Sequence, residues 1–332
     1  MKKTKVVCVG EALIDRIRNK SNKEFTDFLG GAPANVACAL RKLQIDSVFI
    51  GRLGSDELGK KFIEKFKELQ VNINFLQLDK NLPTRIVTVN RDNYGDRYFS
   101  GFDTSVNKVF ADEALDRNLI EKDIQSLEKL FSQTKFLVCG TNVLASSKSA
   151  KSIYFLLSIA KKFDVKIIID LNWREVFWEY STFSSKISKI ERFDLIHHFL
   201  KYANILKLAR EEAILFFEND NPSEISAALL KTPDVIITDG ANPIKWFING
   251  VKGKTEVINS SNIIDTTGAG DAFLAGLISK LILHNNPLNQ LVIERFINFA
   301  SVCGLLTCLG EGAIDQQPDY SRINKFFGSK IE

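Results

Sequence analysis

Six short runs rich in β-branched residues, at 6–9, 47–50, 136–139, 166–169, 205–208 and 235–238, recur along the 332 residues, and amphipathic stretches at 34–43, 57–69, 149–163 and 223–230 lie between some of them. The runs are apolar at most positions, so strands made from them must be covered on both faces. Alternation of such strands with helices implies a mostly parallel sheet with helical layers above and below. Two regions break the pattern. Residues 24–29, and the pair 85–90 and 97–101 joined by Arg91-Asp92-Asn93-Tyr94-Gly95-Asp96, alternate as exposed antiparallel strands do. No Pro/Gly/Ser linker separates them. They are expected to form a small sheet, from segments at about 14–32 and 84–104, inserted in one domain spanning 1–332 and able to act as a lid. A hairpin is expected from 245–248 and 255–258 through Asn249-Gly250.

Near the C-terminal end stands Asp265-Thr266-Thr267-Gly268-Ala269-Gly270-Asp271-Ala272-Phe273, followed by a small-residue apolar run to about His284. This is a loop opening into a helix. Gly268 and Gly270 let the backbone approach a ligand, and the N–H groups of Gly268, Ala269, Gly270 and Asp271 can converge on one anion at the positive end of the helix dipole. A carboxylate beside an anion site repels the ligand unless it has a task there, and Thr266 or Thr267 can already cap the helix. The task inferred for Asp271 is to accept a hydroxyl proton while a phosphoryl group moves.

A second Gly-rich element, Gly30-Gly31-Ala32-Pro33-Ala34-Asn35, permits an unusual turn into an Ala-rich helix, with Pro33 suited to the first helical position. Only Asn35 asks for more than a helix start, since its amide can both donate to and accept from a sugar hydroxyl. Asp170-Leu171-Asn172-Trp173-Arg174 follows a strand, where open α/β sheets bind ligands, and the planar fork of Arg174 suits an oxyanion. By contrast Gly54-Ser55-Asp56-Glu57-Leu58-Gly59-Lys60-Lys61 has P-loop spacing but fails at its chemical positions: Lys61 stands where a hydroxyl should reach Mg²⁺, and two carboxylates would enter the phosphate nest. Gly10-Glu11-Ala12 lacks the spaced glycines of a dinucleotide fingerprint.

From 6 to 313 the chain resembles the PfkB (ribokinase-like) sugar kinases, in particular their fructokinase branch, with Leu171 and Trp173 replacing the family's Pro and Leu. The resemblance implies a three-layer α/β/α sandwich and an ATP-dependent kinase acting on a primary sugar hydroxyl, with fructose leading over ribose, 2-keto-3-deoxygluconate and nucleosides. A catalytically silent relative on the same fold is the rival reading. It implies sugar contacts for Asp15, Gly30, Gly31, Asn35 and Arg174, and nucleotide contacts for Lys207, Glu212, Thr238, Gly240 and Ser301. Glu212 is also placed near Mg²⁺ through water, although Ala209 replaces a polar family residue there. Asp265, Thr267 and Gly312 are expected around a monovalent cation such as K⁺.

Charge adds little: 44 basic against 40 acidic residues, spread along the chain, supply no basic stripe for nucleic acid. The apolar stretch after the basic N-terminus is broken by Glu11 and Asp15, so neither a signal segment nor a membrane span is expected. Cys8, Cys38, Cys139, Cys303 and Cys308 read as buried free thiols of a cytoplasmic protein. His197, His198 and His284 share no metal-ligand spacing. Tyr98, Phe99 and Phe102 alternate with polar residues, so their face either closes over a sugar or packs the lid on itself. A homodimer through the lid edges is the expected assembly.

Overall fold

A computed structural model describes residues 5–18, 25–91, 97–102, 109–181, 186–284 and 286–328. The strands are β1 (Lys5–Val9), β2 (Leu13–Arg18), β3 (Phe25–Gly30), β4 (Ser47–Ile50), β5 (Arg52–Gly54), β6 (Gln77–Asp79), β7 (Ile86–Arg91), β8 (Arg97–Phe102), β9 (Thr134–Gly140), β10 (Lys166–Asp170), β11 (Ile205–Ala209), β12 (Asp234–Asp239), β13 (Asn242–Ile248) and β14 (Val251–Thr255). Eight of them form the central sheet in the order β14-β13-β12-β11-β10-β9-β1-β4. All neighbours pair in parallel except at the β12–β13–β14 end.

The near-continuous apolar strands are buried on both faces, as their composition requires. Along β1, Val6 and Cys8 enter one core with the helices Ala32–Lys42, Ala269–Leu283 and Gln290–Thr307, while Val7 and Val9 enter the other with Ser147–Lys162 and Lys189–Leu200. This is the ribokinase-like α/β/α sandwich. The five cysteines are buried and free. Gln290–Thr307 is long and apolar enough to span a membrane by length and composition, but 61% of it is buried inside the fold.

A second sheet, β3-β2-β7-β8, stands on the ends of the first. It differs from the expected antiparallel set. β2 lies at its centre and pairs in parallel with β7 through Ile14–Ile86 to Ile17–Val89. Asp15 and Arg16 interrupt the alternation of Leu13-Ile14-Asp15-Arg16-Ile17, which hides the strand period, yet Leu13, Ile14 and Ile17 are buried. The turn at 92–96 and the side chains of Tyr98, Phe99 and Phe102 lie outside the described residues. The hairpin through Asn249-Gly250 forms, but its second strand is Val251–Thr255 rather than 255–258. Both turn residues have positive φ, +52° and +77°, and this two-residue reversal pairs Ile248 with Val251 at once.

Candidate active site

Polar residues gather at the carboxyl ends of the parallel strands, strand by strand: Glu11 after β1, Asn142 after β9, Asn172 and Arg174 after β10, Lys207 on β11 and Thr238 on β12. Parallel strands expose their ends to one edge, so residues far apart in sequence meet there.

A cavity of about 350 Å³ is lined there by Asp15, Gly31, Asn35, Asn142, Arg174, Lys207, Gly268, Gly270 and Asp271, with Glu11, Leu13, Val87 and Phe177 on its other walls. Its floor is the loop-to-helix turn expected from the sequence. Gly268 N-caps Ala269–Leu283 with φ +75°, and a Cβ there would stand 2.6 Å from the Ala313 Cβ, so the position needs glycine twice over. Asp271 sits in the first helical turn, where its Oδ2 accepts from Asn35 Nδ2 at 2.8 Å. Burial, reinforced by Asp170, lifts its carboxyl to about 6, against the opposing pull of Asn35, Lys207 and Arg174. A carboxylate with that affinity is mostly ionised at neutral pH yet a better base than an ordinary Asp. The Oδ1 of Asn35 is buried and has no partner among the described residues.

Asn35 owes its place to Gly31. With φ +97°, Gly31 starts the helix Ala32–Lys42 where a Cβ would meet the Glu11 carbonyl at 2.7 Å. Gly30 itself pairs with Leu13 and backs onto the Asp15 carboxylate rather than lining the cavity.

Lys207, expected at the nucleotide, lines this same cavity. Its Nζ donates to Asp170 at 3.0 and 3.1 Å, and a Cβ on Gly270 would lie 2.8 Å from it. Burial opposes its charge, but Asp170, Glu212 and Asp271 hold its pKa above the ordinary range. Glu212 lies outside both site cavities: its oxygens accept from Trp173 N at 2.6 Å and Ala209 N at 2.7 Å. It joins the Arg174 loop to the start of the helix Arg210–Phe217, and burial raises its pKa. Arg174 donates to the Trp173 carbonyl at 3.1 Å. Glu175 pairs with Lys189 at 3.4 Å rather than with Arg174.

A second cavity of about 430 Å³, more apolar, is lined by Thr238, Gly240, Ile244, Val257, Ile263, Phe273, Ser301, Gly304 and Leu305. Thr266 and Gly270 border both cavities. The two spaces therefore meet at the turn that carries Asp271. Beneath it, Asp265 accepts from Thr267 N at 2.9 Å, Thr267 Oγ1 at 2.8 Å and Gly312 N at 3.0 Å, which brings together the three residues expected around a monovalent cation.

The P-loop look-alike serves a different purpose. Asp56 caps the helix Glu57–Glu68 through Gly59 N and also accepts from Thr84 N and Oγ1, while Lys60 pairs with Glu57. His197 packs on Phe216 and Phe217. Among the described residues no group of three His, Cys, Asp or Glu is placed to hold a metal.

Sequence reading missed Glu11, Asn142 and Phe177 as cavity walls. Their signal was positional, since the first two directly follow β1 and β9. Burial lifts Glu11 to about 7.

The arrangement can hold an alcohol and a phosphate on either side of one base. The pfkB family carbohydrate kinase profile matches residues 3–319. A fructokinase of Vibrio alginolyticus is 30% identical, over 96% of this chain and 97% of its own length. Among solved structures, the Xylella fastidiosa fructokinase with bound ATP superimposes with a TM-score of 0.83 at 23% identity, covering 99% of this chain and 100% of that one. The Vibrio cholerae O395 fructokinase bound to fructose, ADP and calcium gives 0.79 at 25% identity, covering 98% and 99%. A profile spanning nearly the whole chain, laid over a base and a glycine turn between two cavities, makes this protein a member of the pfkB family of carbohydrate kinases, an ATP-dependent sugar kinase.

Proposed function

We propose that this kinase is a fructokinase, moving the γ-phosphoryl group of ATP to the 6-hydroxyl of D-fructose. The observation that carries the assignment is the meeting of a polar and an apolar cavity at Thr266 and Gly270, beside Asp271. The polar cavity suits a polyhydroxyl substrate, and the apolar one, with Thr238, Gly240 and Ser301 at its edges, suits an adenine ring. The fructokinase names of the relatives support fructose within the sugar class.

The sugar is held by Asp15, Asn35 and Arg174, which all line the polar cavity. Asp271 orients the reacting hydroxyl. As that oxygen bonds to the γ-phosphorus, the bond from phosphorus to the bridging oxygen breaks, its electron pair leaves on ADP, and the hydroxyl proton passes to Asp271. Amides of Ala269, Gly270 and Asp271, with the Lys207 ammonium beside Gly270, stabilise charge on the moving group. Both Glu212 oxygens already accept from backbone N–H groups, so in this reading Mg²⁺ would arrive with the nucleotide and would offset the negative charge of its phosphates. Thr267, Asp265 and Gly312 form a K⁺ site under the turn in this reading. Five buried thiols support a cytoplasmic setting, and the outer strands β3 and β8 offer edges for a lid-mediated dimer within a single-domain chain.

The test is ADP release across a panel of fructose, ribose, 2-keto-3-deoxygluconate and nucleosides. Fructose should give the highest kcat/KM. A tenfold or greater preference for another member would replace fructose in the assignment, and turnover of none would return the silent-relative reading.

A further inference from the structure

Beneath the polar cavity lies a buried cationic post that the transfer chemistry does not use. Arg85, 2% exposed, precedes β7, and its guanidinium lies against the rings of Phe110 and Phe177, its Cζ 4.6 Å from each centroid. Its Nε donates to Asp112 at 2.8 Å and its Nη2 to Glu113 at 2.7 Å. Its carbonyl accepts from Ile14 N at 2.9 Å, next to Asp15. A void of about 20 Å³, the size of one water, is bordered by Arg85, Asp112 and Glu113 and shares Glu11, Asn142 and Phe177 with the polar cavity.

Burying one arginine with two carboxylates is costly and gains little net stability over an apolar filling, so a stability role explains the post poorly. Its geometry touches three things that shape the polar cavity: the Phe177 wall, the Asp15 strand and the root of β7, whose Val87 also lines it. A planar cation lying against two rings and forked at its edge fixes ring and strand together, which a flexible ammonium cannot do. We infer that Arg85 is a positioning residue for sugar binding, holding Phe177 and the Asp15 strand at the distance the substrate requires. This rests on the polar cavity being the sugar site.

The experiment compares wild type with Arg85→Lys, Phe177→Leu and the double variant, using whichever sugar the wild type phosphorylates most efficiently, and measures sugar KM, ATP KM and kcat separately. Arg85→Lys should raise sugar KM about tenfold and leave ATP KM within twofold. Because both residues act through one wall, the double variant should be little worse than the worse single one. Equal rises in both KM values, or sugar effects of the two substitutions that multiply, would overturn the inference while leaving the kinase reading intact. A rise in ATP KM alone would instead overturn the allocation of the two cavities. If Arg85→Lys folds poorly, Asp112→Asn, which keeps the guanidinium and its stacking but loosens one prong, should give the same sugar-specific rise on a smaller scale.

Discussion

Replacing Asp271 by asparagine should make this protein more stable and nearly inactive at once. In the unfolded chain the carboxyl ionises near its ordinary 3.8, whereas in the folded protein it does so at about 6. A raised folded value means that ionisation opposes folding. The penalty is absent while both states are protonated, below about pH 4, grows between about pH 4 and 6, and is complete above that. A shift of about two units corresponds to about 3 kcal/mol, and water in the cavity screens part of this, so ~1–2 kcal/mol is the working expectation. Asparagine removes the charge, keeps the shape and still offers an oxygen to Asn35 Nδ2. Urea denaturation of both proteins between pH 4 and pH 8 should show the variant gaining ~1–2 kcal/mol over wild type at the alkaline end and converging at the acid end. Turnover should fall by roughly a hundredfold or more, the scale of general-base catalysis. A stability difference that ignores pH would sink the electrostatic account. Near wild-type turnover in a folded Asp271→Asn protein would sink the assignment of the base.

Lys207→Met leaves Asp170 uncompensated beside Asp271, so Asp271 should bind its proton more tightly: kcat should drop about a hundredfold and the acid limb of the pH–rate profile, expected near pH 6 in wild type, should move to higher pH. Gly268→Ala must adopt φ +75° against Ala313; a loss of ~2 kcal/mol in denaturation and a collapse of turnover are expected, and wild-type kinetics would show that the turn does not form the anion site. Lys60→Ala should leave ATP binding by calorimetry unchanged, while Asp56→Ala should cost ~2 kcal/mol of stability by stranding Thr84 and Gly59; ATP affinity that follows Lys60 would revive the P-loop alternative. Turnover should rise severalfold on exchanging Na⁺ for K⁺, and Asp265→Asn should abolish the difference; equal rates in both salts would remove the cation from the proposal.

The layer architecture was legible in the chain, because strands apolar on both faces have only one kind of solution, and so was the loop-to-helix turn, because Asp265 to Asp271 carries the glycines and the carboxylate within a few residues. Local chemistry of that kind is complete in one stretch of chain. Which distant groups face one another is set by the packing of the strands and helices. Lys207 stands in the cavity of Asp271, because its strand pairs with β10 and Asp170 accepts from its ammonium. Glu212 turned from the metal to the backbone of Trp173 and Ala209. β2 became the centre of the second sheet although its charges hid its period, since its pairing with β7 brings together segments some seventy residues apart. Glu11, Asn142 and the Arg85 post carry no motif, and their meaning comes from side-by-side strand ends and packed rings, an arrangement set by the summed packing of the fold rather than by any neighbour in sequence.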